Sequence, residues 1–212
     1  AAGISCFLQN GEGITDQTEL VVVSTAIEDT VQEMKKAKQL AIPVMKRSEL
    51  LALIAKSKKT IAVGGTSGKS TTSAMLFDIL EKAGMQPSII SGAGLVSIIK
   101  ENKIGNAKVG NGEWLVIEAD ESDGSIVQYT PEVGLLLNVD KDHQEIDELM
   151  DIFGTFRSNT KELFVVNRSN VLASKLSVNA KHDFSIDENS GAGYIATNFN
   201  QQGMHITFTI DA

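Results

Sequence analysis

A single cysteine, Cys6, is all the thiol chemistry that the 212 residues contain. One cysteine excludes an internal disulfide and a thiolate metal cluster, and it points to a reducing cytoplasm. Basic residues are also in deficit: 19 Lys and Arg stand against 27 Asp and Glu, a formal net charge of -8. A nucleic acid or an anionic membrane held by a broad cationic face is therefore not expected as a partner. Any phosphate-bearing ligand has to be held locally, by backbone and one or two cations. No apolar run is long enough to cross a bilayer, and the opening AAGISCFLQNGEG lacks a basic region followed by an apolar core. Neither a membrane span nor a signal peptide is expected. The first residue is Ala, not Met, so the expectation is a piece of a longer protein. What remains, 42% hydrophobic and 22% charged, is the composition of a globular protein with one large domain or two modest ones.

Against that background one stretch stands out, TIAVGGTSGKSTT at Thr60 to Thr72. An apolar strand-forming run meets two glycines, a third glycine precedes Lys69, and hydroxyl residues open a helix-forming segment. Triphosphate binding calls for these residue types. Glycine lets backbone N–H groups close around oxygen atoms, and a helix start presents unpaired donors with about half a positive charge. Gly65, Thr66, Ser67, Gly68, Lys69, Ser70 and Thr71 are the candidate phosphate cradle. Lys69 supplies a point charge for the terminal phosphates and Ser70 a hydroxyl for Mg2+. The match to G-x-x-x-x-G-K-[ST] is incomplete, because Val63 occupies the first glycine position; the shorter Gly-x-x-Gly-Lys-Ser fits Gly65 to Ser70. The alternative is a glycine turn capping a core helix, with Lys69 merely solvated.

Alternating strand and helix signals surround this loop and predict an α/β fold with a mainly parallel sheet and flanking helices. Ile4 to Leu8 reads as a short strand and Leu20 to Val23 as a strand covered on both faces. Thr30 to Leu40 reads as a helix, as does Glu49 to Ala55 with Ser48 as its cap. The basic linker Lys56 to Lys59 marks a boundary, giving 1–57 and 58–212 as the two parts. Further buried strands are predicted at Ser88 to Ser91, Trp114 to Ile117, Val133 to Leu137 and Leu163 to Val166. Helices are predicted at Thr71 to Ala83, Ile146 to Phe156 and Val171 to Leu176, and a surface hairpin or loop at Gly105 to Gly112. The tail, from Asp183 to Ile210, alternates as an antiparallel ribbon does.

Two strand ends carry further chemistry. Trp114 to Ile117 runs into EADESD, with four carboxylates in six residues. Glu118, the first acid after the apolar run, is the candidate for a loop-held Mg2+. Asp120, Glu121 and Asp123 are open to the reading of a solvated loop or cap. Val133 to Leu137 runs into NVDKDH, where His143 is either a contact to a metal-bound phosphate or a structural hydrogen-bonder.

GTSGKST at Gly65 to Thr71, EADESDGS at Glu118 to Ser125 and NVDKDH at Asn138 to His143 stand in the order found in the Mur ligases. Together with VVVSTAI and IPVMKRSELL, they resemble that family over nearly the whole chain. The acidic motif is most similar to the branch that joins L-alanine to UDP-N-acetylmuramate. The resemblance implies three domains, of which 1–57 is the second half of a Rossmann-like UDP-substrate domain. Residues 58–212 would be most of a P-loop NTPase-like central ATPase domain, with a small antiparallel ribbon. It implies ATP and Mg2+, an acyl phosphate made from the substrate carboxylate, and attack on it by an amine. Lys69 would bind the β- and γ-phosphates, Ser70 and Glu118 the first Mg2+, His143 a second, and Asn138 the nucleotide and substrate edge. Alone, the chain is expected to bind nucleotide weakly at most and to form no amide. A murein-peptide recycling ligase and a non-catalytic nucleotide-binding module are the alternatives. Ser70, Ser67, Lys141 and Gln144 depart from the branch's usual residues without removing a proposed ligand.

Overall fold

The computed structural model describes residues 3–101, 104–122, 124–141 and 144–212. By its internal contacts the chain divides into two compact units, Ala1–Ile54 and Ala55–Ala212.

In the first unit, β1 (Val21–Val23) and β2 (Val44–Lys46) pair in parallel with Val21 opposite Val44. The helix α1 (Gln32–Gln39) makes the crossover that parallel strands need. Three expectations fail here. Ile4 to Leu8 forms no strand and its apolar side chains are exposed. Val22 is exposed as well, because in a sheet of two strands β1 has helix cover on one face at most. The next helix, α2 (Arg47–Lys56), starts one residue before Ser48, which is buried inside it rather than capping it. Glu49 does that work: its Oε2 accepts from the Lys46 N–H at 2.7 Å, the reach-back half of a capping box.

The second unit is built on a six-stranded sheet in the order β5-β4-β6-β3-β7-β8. Its strands are β3 (Lys59–Gly64), β4 (Ser88–Ile90), β5 (Ala107–Lys108), β6 (Trp114–Glu118), β7 (Val133–Leu136) and β8 (Leu163–Val166). All neighbours run parallel except β5, which pairs antiparallel to β4 at one edge. The stretch expected as a surface loop or hairpin, 105–112, thus supplies the edge strand. The helices are α3 (Lys69–Lys82), α4 (Val96–Ile99), α5 (Ile146–Asn159) and α6 (Val171–Ser174).

The sheet is covered on both faces, which is why β3, β6 and β7 read as continuous apolar runs. Pairing places Ile61 beside Val116, and Val116 packs with Phe77 of α3, Ile89, Leu95 and Ile98. Gly64 has the opposite parity and faces Ile126, Phe153 and Phe156 on the α5 side. Each of these fully buried large side chains contributes roughly 1.5–3 kcal/mol of burial. They fix β3 rigidly between β6 and β7.

At the opposite end of the sheet from the loop, Glu132 joins three elements. Its carboxylate accepts from the Thr60 N–H at 2.6 Å and from Lys161 Nζ at 2.7 Å. Burial works to raise its pKa, but these two hydrogen bonds outweigh it and hold the carboxyl below the usual glutamate value. A depressed folded pKa gives stability that is fully present above the unfolded value, near 4.5, and lost as pH falls through the folded one. Glu132→Gln is therefore expected to unfold at lower denaturant than wild type at pH 7. The gap should close as pH drops below about 4.5. Urea melts of both proteins at pH 7 and pH 3.5 check it.

The tail departs in one respect. β10 (Tyr194–Gln202) and β11 (His205–Asp211) form an antiparallel hairpin, but β9 (Phe184–Ser185) pairs parallel to β10. The intervening turn brings the chain back in its original direction, a crossover that alternation alone does not reveal. Phe199, Ile206, Phe208 and Ile210 of the hairpin are exposed.

Candidate functional site

Three strand ends meet at the carboxyl edge of the sheet, where open α/β sheets place ligands. Register decides what meets there. Val63, one residue before the end of β3, pairs with Glu118, and Gly64 pairs with Leu136, two residues before Asn138. Ile90 pairs with Ile117, which brings Ser91 alongside Glu118. Side chains remote in sequence are thus neighbours because the sheet is in register.

The loop between β3 and α3 contains the two left-handed backbone positions that its glycines serve. Gly65 has φ +138°, and a Cβ there would sit 3.1 Å from Leu137 Cβ and 3.2 Å from Asn138 N. Gly68, with φ +82°, is the N-cap of α3 and, having no side chain, gives that helix no side-chain cap of its own. Its first-turn N–H groups carry the positive end of a 14-residue helix dipole, which favours an anion. Thr71 lies exposed in that first turn.

Asn138 ties the loop down. Its Oδ1 accepts from Thr66 Oγ1 at 2.8 Å and from the Ser67 N–H at 2.9 Å, and its Nδ2 donates to Ser67 O at 3.1 Å. Thr66 Oγ1 in turn accepts from the Asp140 N–H at 3.1 Å. Asn138 therefore shapes the loop.

Glu118 sits on the other side. Its Oε2 accepts from Ser70 Oγ at 2.8 Å; its Oε1 accepts from the Gly92 N–H at 2.8 Å and from Ser91 Oγ. Lys69 Nζ donates to Glu121 Oε2 at 2.8 Å, to Glu121 Oε1 at 3.1 Å and to Gly65 O at 2.7 Å. Of the expected residues, the structure brings together Gly65, Thr66, Ser67, Gly68, Lys69, Ser70, Glu118 and Asn138. His143 and Asp123 lie outside the described residues. Of the two readings left open for Glu121, that of a solvated loop acid is ruled out, since its side chain is only 5% exposed. Asp120 does behave as a turn acid, accepting from the Ser122 N–H and Oγ.

Sequence reasoning missed the Lys69–Glu121 pair and the part played by Ser91. The spacing of Glu118 and Glu121 across a turn was the available signal, but only the fold shows that the two carboxylates serve different partners.

Residues 63–211 match the Mur ligase middle domain, and residues 1–59 match the Mur ligase family, catalytic domain. The chain belongs to the Mur ligase family. A UDP-N-acetylmuramate--L-alanine ligase of Carboxydothermus hydrogenoformans is 43% identical over 166 residues, covering 76% of this chain and 35% of that protein. The ligase of the same name from Synechococcus sp. is 39% identical over 192 residues, 89% of this chain and 39% of its own. This Mur ligase chain therefore spans little more than a third of the length of the curated relatives it matches. The crystal structure of the UDP-N-acetylmuramate-alanine ligase MurC from Thermotoga maritima shares the fold. It superposes with a TM-score of 0.78 at 24% identity, over 91% of this chain and 44% of that one. Mur ligases are ATP-dependent ligases.

The donors present suit a hard divalent cation. Mg2+ keeps several waters and takes one or two carboxylates plus phosphate oxygens, and Ser70 Oγ and the Glu118 carboxylate are oxygen donors already in contact. Among the described residues no group of three or more His, Cys, Asp and Glu could hold a metal alone. A Mg2+ held there would need phosphate oxygens and water to complete its shell. No helix of the described residues is long and apolar enough to cross a membrane.

Proposed function

We propose that this chain is the nucleotide-handling part of a ligase that joins L-alanine to UDP-N-acetylmuramate in peptidoglycan precursor synthesis. The observation that carries the reading is the contact of Ser70 Oγ with Glu118 Oε2 at 2.8 Å beside the glycine-capped start of α3 and Lys69. The names borne by the relatives support the choice of substrates. Residues 1–57 are assigned to the UDP-substrate domain and 58–212 to the central ATPase domain. The expected compartment is the cytoplasm, where ATP is held.

Phosphoryl transfer asks little acid or base chemistry of a protein; it asks for position and for neutral charge on the transferring group. The α3 N–H groups and the amides of Gly65 to Ser70 cradle the phosphates. Lys69 places its ammonium against the β- and γ-oxygens, while Asn138 keeps the cradle from relaxing. Ser70 and Glu118 would hold Mg2+, which when bound supplies charge neutralisation and orientation of the γ-phosphate. A substrate carboxylate oxygen then bonds to the γ-phosphorus as ADP leaves, and the L-alanine amine displaces phosphate from the acyl phosphate. His143 is assigned to a second Mg2+ near the substrate carboxylate.

The test uses a full-length ligase that contains this chain, with Mg2+, ATP and UDP-N-acetylmuramate. Phosphate release should require both UDP-N-acetylmuramate and L-alanine. Release that depends on neither would replace this reading with another ATPase activity.

A further inference from the structure

The Lys69 ammonium, the cation assigned to the triphosphate, has a partner already. Its three N–H bonds end on Gly65 O and on both oxygens of Glu121, with Glu121 Oε2 at 2.8 Å. Lys69 is 16% and Glu121 5% exposed, so the pair is largely out of water and weakly screened. Glu118, three residues earlier, has no share in it; its oxygens go to Ser70, Ser91 and the Gly92 N–H. The chain turns at and after Glu121: Asp120 accepts from the Ser122 N–H, and the Gly124 N–H donates to Glu121 O at 3.0 Å.

From this geometry we infer that Glu121 is a positioning residue: a resident counter-ion that occupies Lys69 in the nucleotide-free protein and yields it to the phosphates. The inference rests on the nucleotide site proposed above. An ammonium with three donors cannot keep Gly65 O and both Glu121 oxygens while also donating to β- and γ-oxygens. Binding therefore has to break the Lys69–Glu121 contact, and Glu121 subtracts from the affinity for any polyphosphate. In return it keeps a half-buried cation neutralised and the loop shaped when no nucleotide is bound. Free phosphate, which carries less charge to compete with, is held off most effectively.

The test is a titration of a full-length ligase that contains this chain with inorganic tripolyphosphate and, separately, Mg-ATP, followed by the amide NMR signals of the loop to millimolar ligand. Glu121→Gln should bind tripolyphosphate about tenfold more tightly than wild type. Lys69→Met in the same background should erase the gain. Asp120→Asn removes the same charge one residue away without touching Lys69, and should gain less than about twofold. If Glu121→Gln folds poorly, Glu121→Asp lengthens the contact and should give a smaller gain of the same sign. Equal or weaker binding by a folded Glu121 variant, or an equal gain from Asp120→Asn, overturns the counter-ion role. Wild-type Mg-ATP binding would then leave the proposed function standing. Loop signals unmoved by both ligands in every protein would remove the phosphate site itself, and both readings with it.

Discussion

Lys69→Met is expected to weaken Mg-ATP binding by a full-length ligase containing this chain about a hundredfold and, separately, to lower the melting temperature of the chain itself by about 5–10 °C. The first effect follows from removing the one cation of the cradle, since a protein of net charge -8 has no broad positive field to replace it. The second has a different cause. With Lys69 gone, the Glu121 carboxylate, 5% exposed, remains as a buried charge without its ion-pair partner. Breaking one side of a fully buried pair costs about 3–5 kcal/mol, and partial access through the Lys69 side brings this to about 2–3 kcal/mol. For a chain of this size that is the stated drop in melting temperature. The two effects separate in the double variant Lys69→Met/Glu121→Met. Apolar side chains of similar volume can replace a buried pair at little cost, so most of the melting temperature should return while nucleotide binding stays absent. Thermal melts and Mg-ATP titrations of the three proteins check both halves. Binding that returned with stability would show that Lys69 acts only by holding the loop.

How much of this was legible in the sequence depends on the range of the interaction. Leu163–Val166 and the cores of β3, β6 and β7 were readable because apolar β-branched runs between turn residues report local burial directly. Val63 broke the phosphate-loop pattern, and the fold gives the reason: it lies within β3, fully buried and paired with Glu118, and the left-handed turn begins only at Gly65. Short elements such as α4 and β5 were lost because a few residues carry no period. Asn138 was picked out only by the family resemblance, and its hydrogen bonds to Thr66 and Ser67 span more than 70 positions. No periodicity encodes such a clamp. The alternative left open for Glu121, a solvated acid, could not be closed from the sequence for a similar reason. A run of acids looks solvated along the sequence, and only the pairing of β6 with β3 turns one of them toward Lys69.

Glu118→Gln should lower phosphoryl transfer in a full-length ligase containing this chain by about a thousandfold while leaving the fold in place. The substitution keeps the shape of the side chain. Gln Oε1 can still accept from Ser91 Oγ and from the Gly92 N–H, which Glu118 Oε1 holds at 2.8 Å. Its Nε2 can donate to Ser70 Oγ, which stands 2.8 Å from Glu118 Oε2. The melting temperature should therefore move by no more than about 2 °C. What is lost is the negative charge beside the loop hydroxyl, and with it the protein's one carboxylate hold on Mg2+ at that point. Loss of a single electrostatic stabiliser costs about 10²–10³ in rate in other enzymes; anchoring a divalent ion on the transferring phosphate puts Glu118 at the upper end. The readout that separates an ion-holding role from a structural one is the Mg2+ dependence. In wild type, ADP binding should tighten by about tenfold or more as Mg2+ is added. In Glu118→Gln it should hardly respond, although ADP without metal binds both proteins alike. A variant that kept the wild-type Mg2+ response would move the ion away from Ser70 and Glu118, and the convergence of β3 and β6 on this edge would then serve the loop's shape alone.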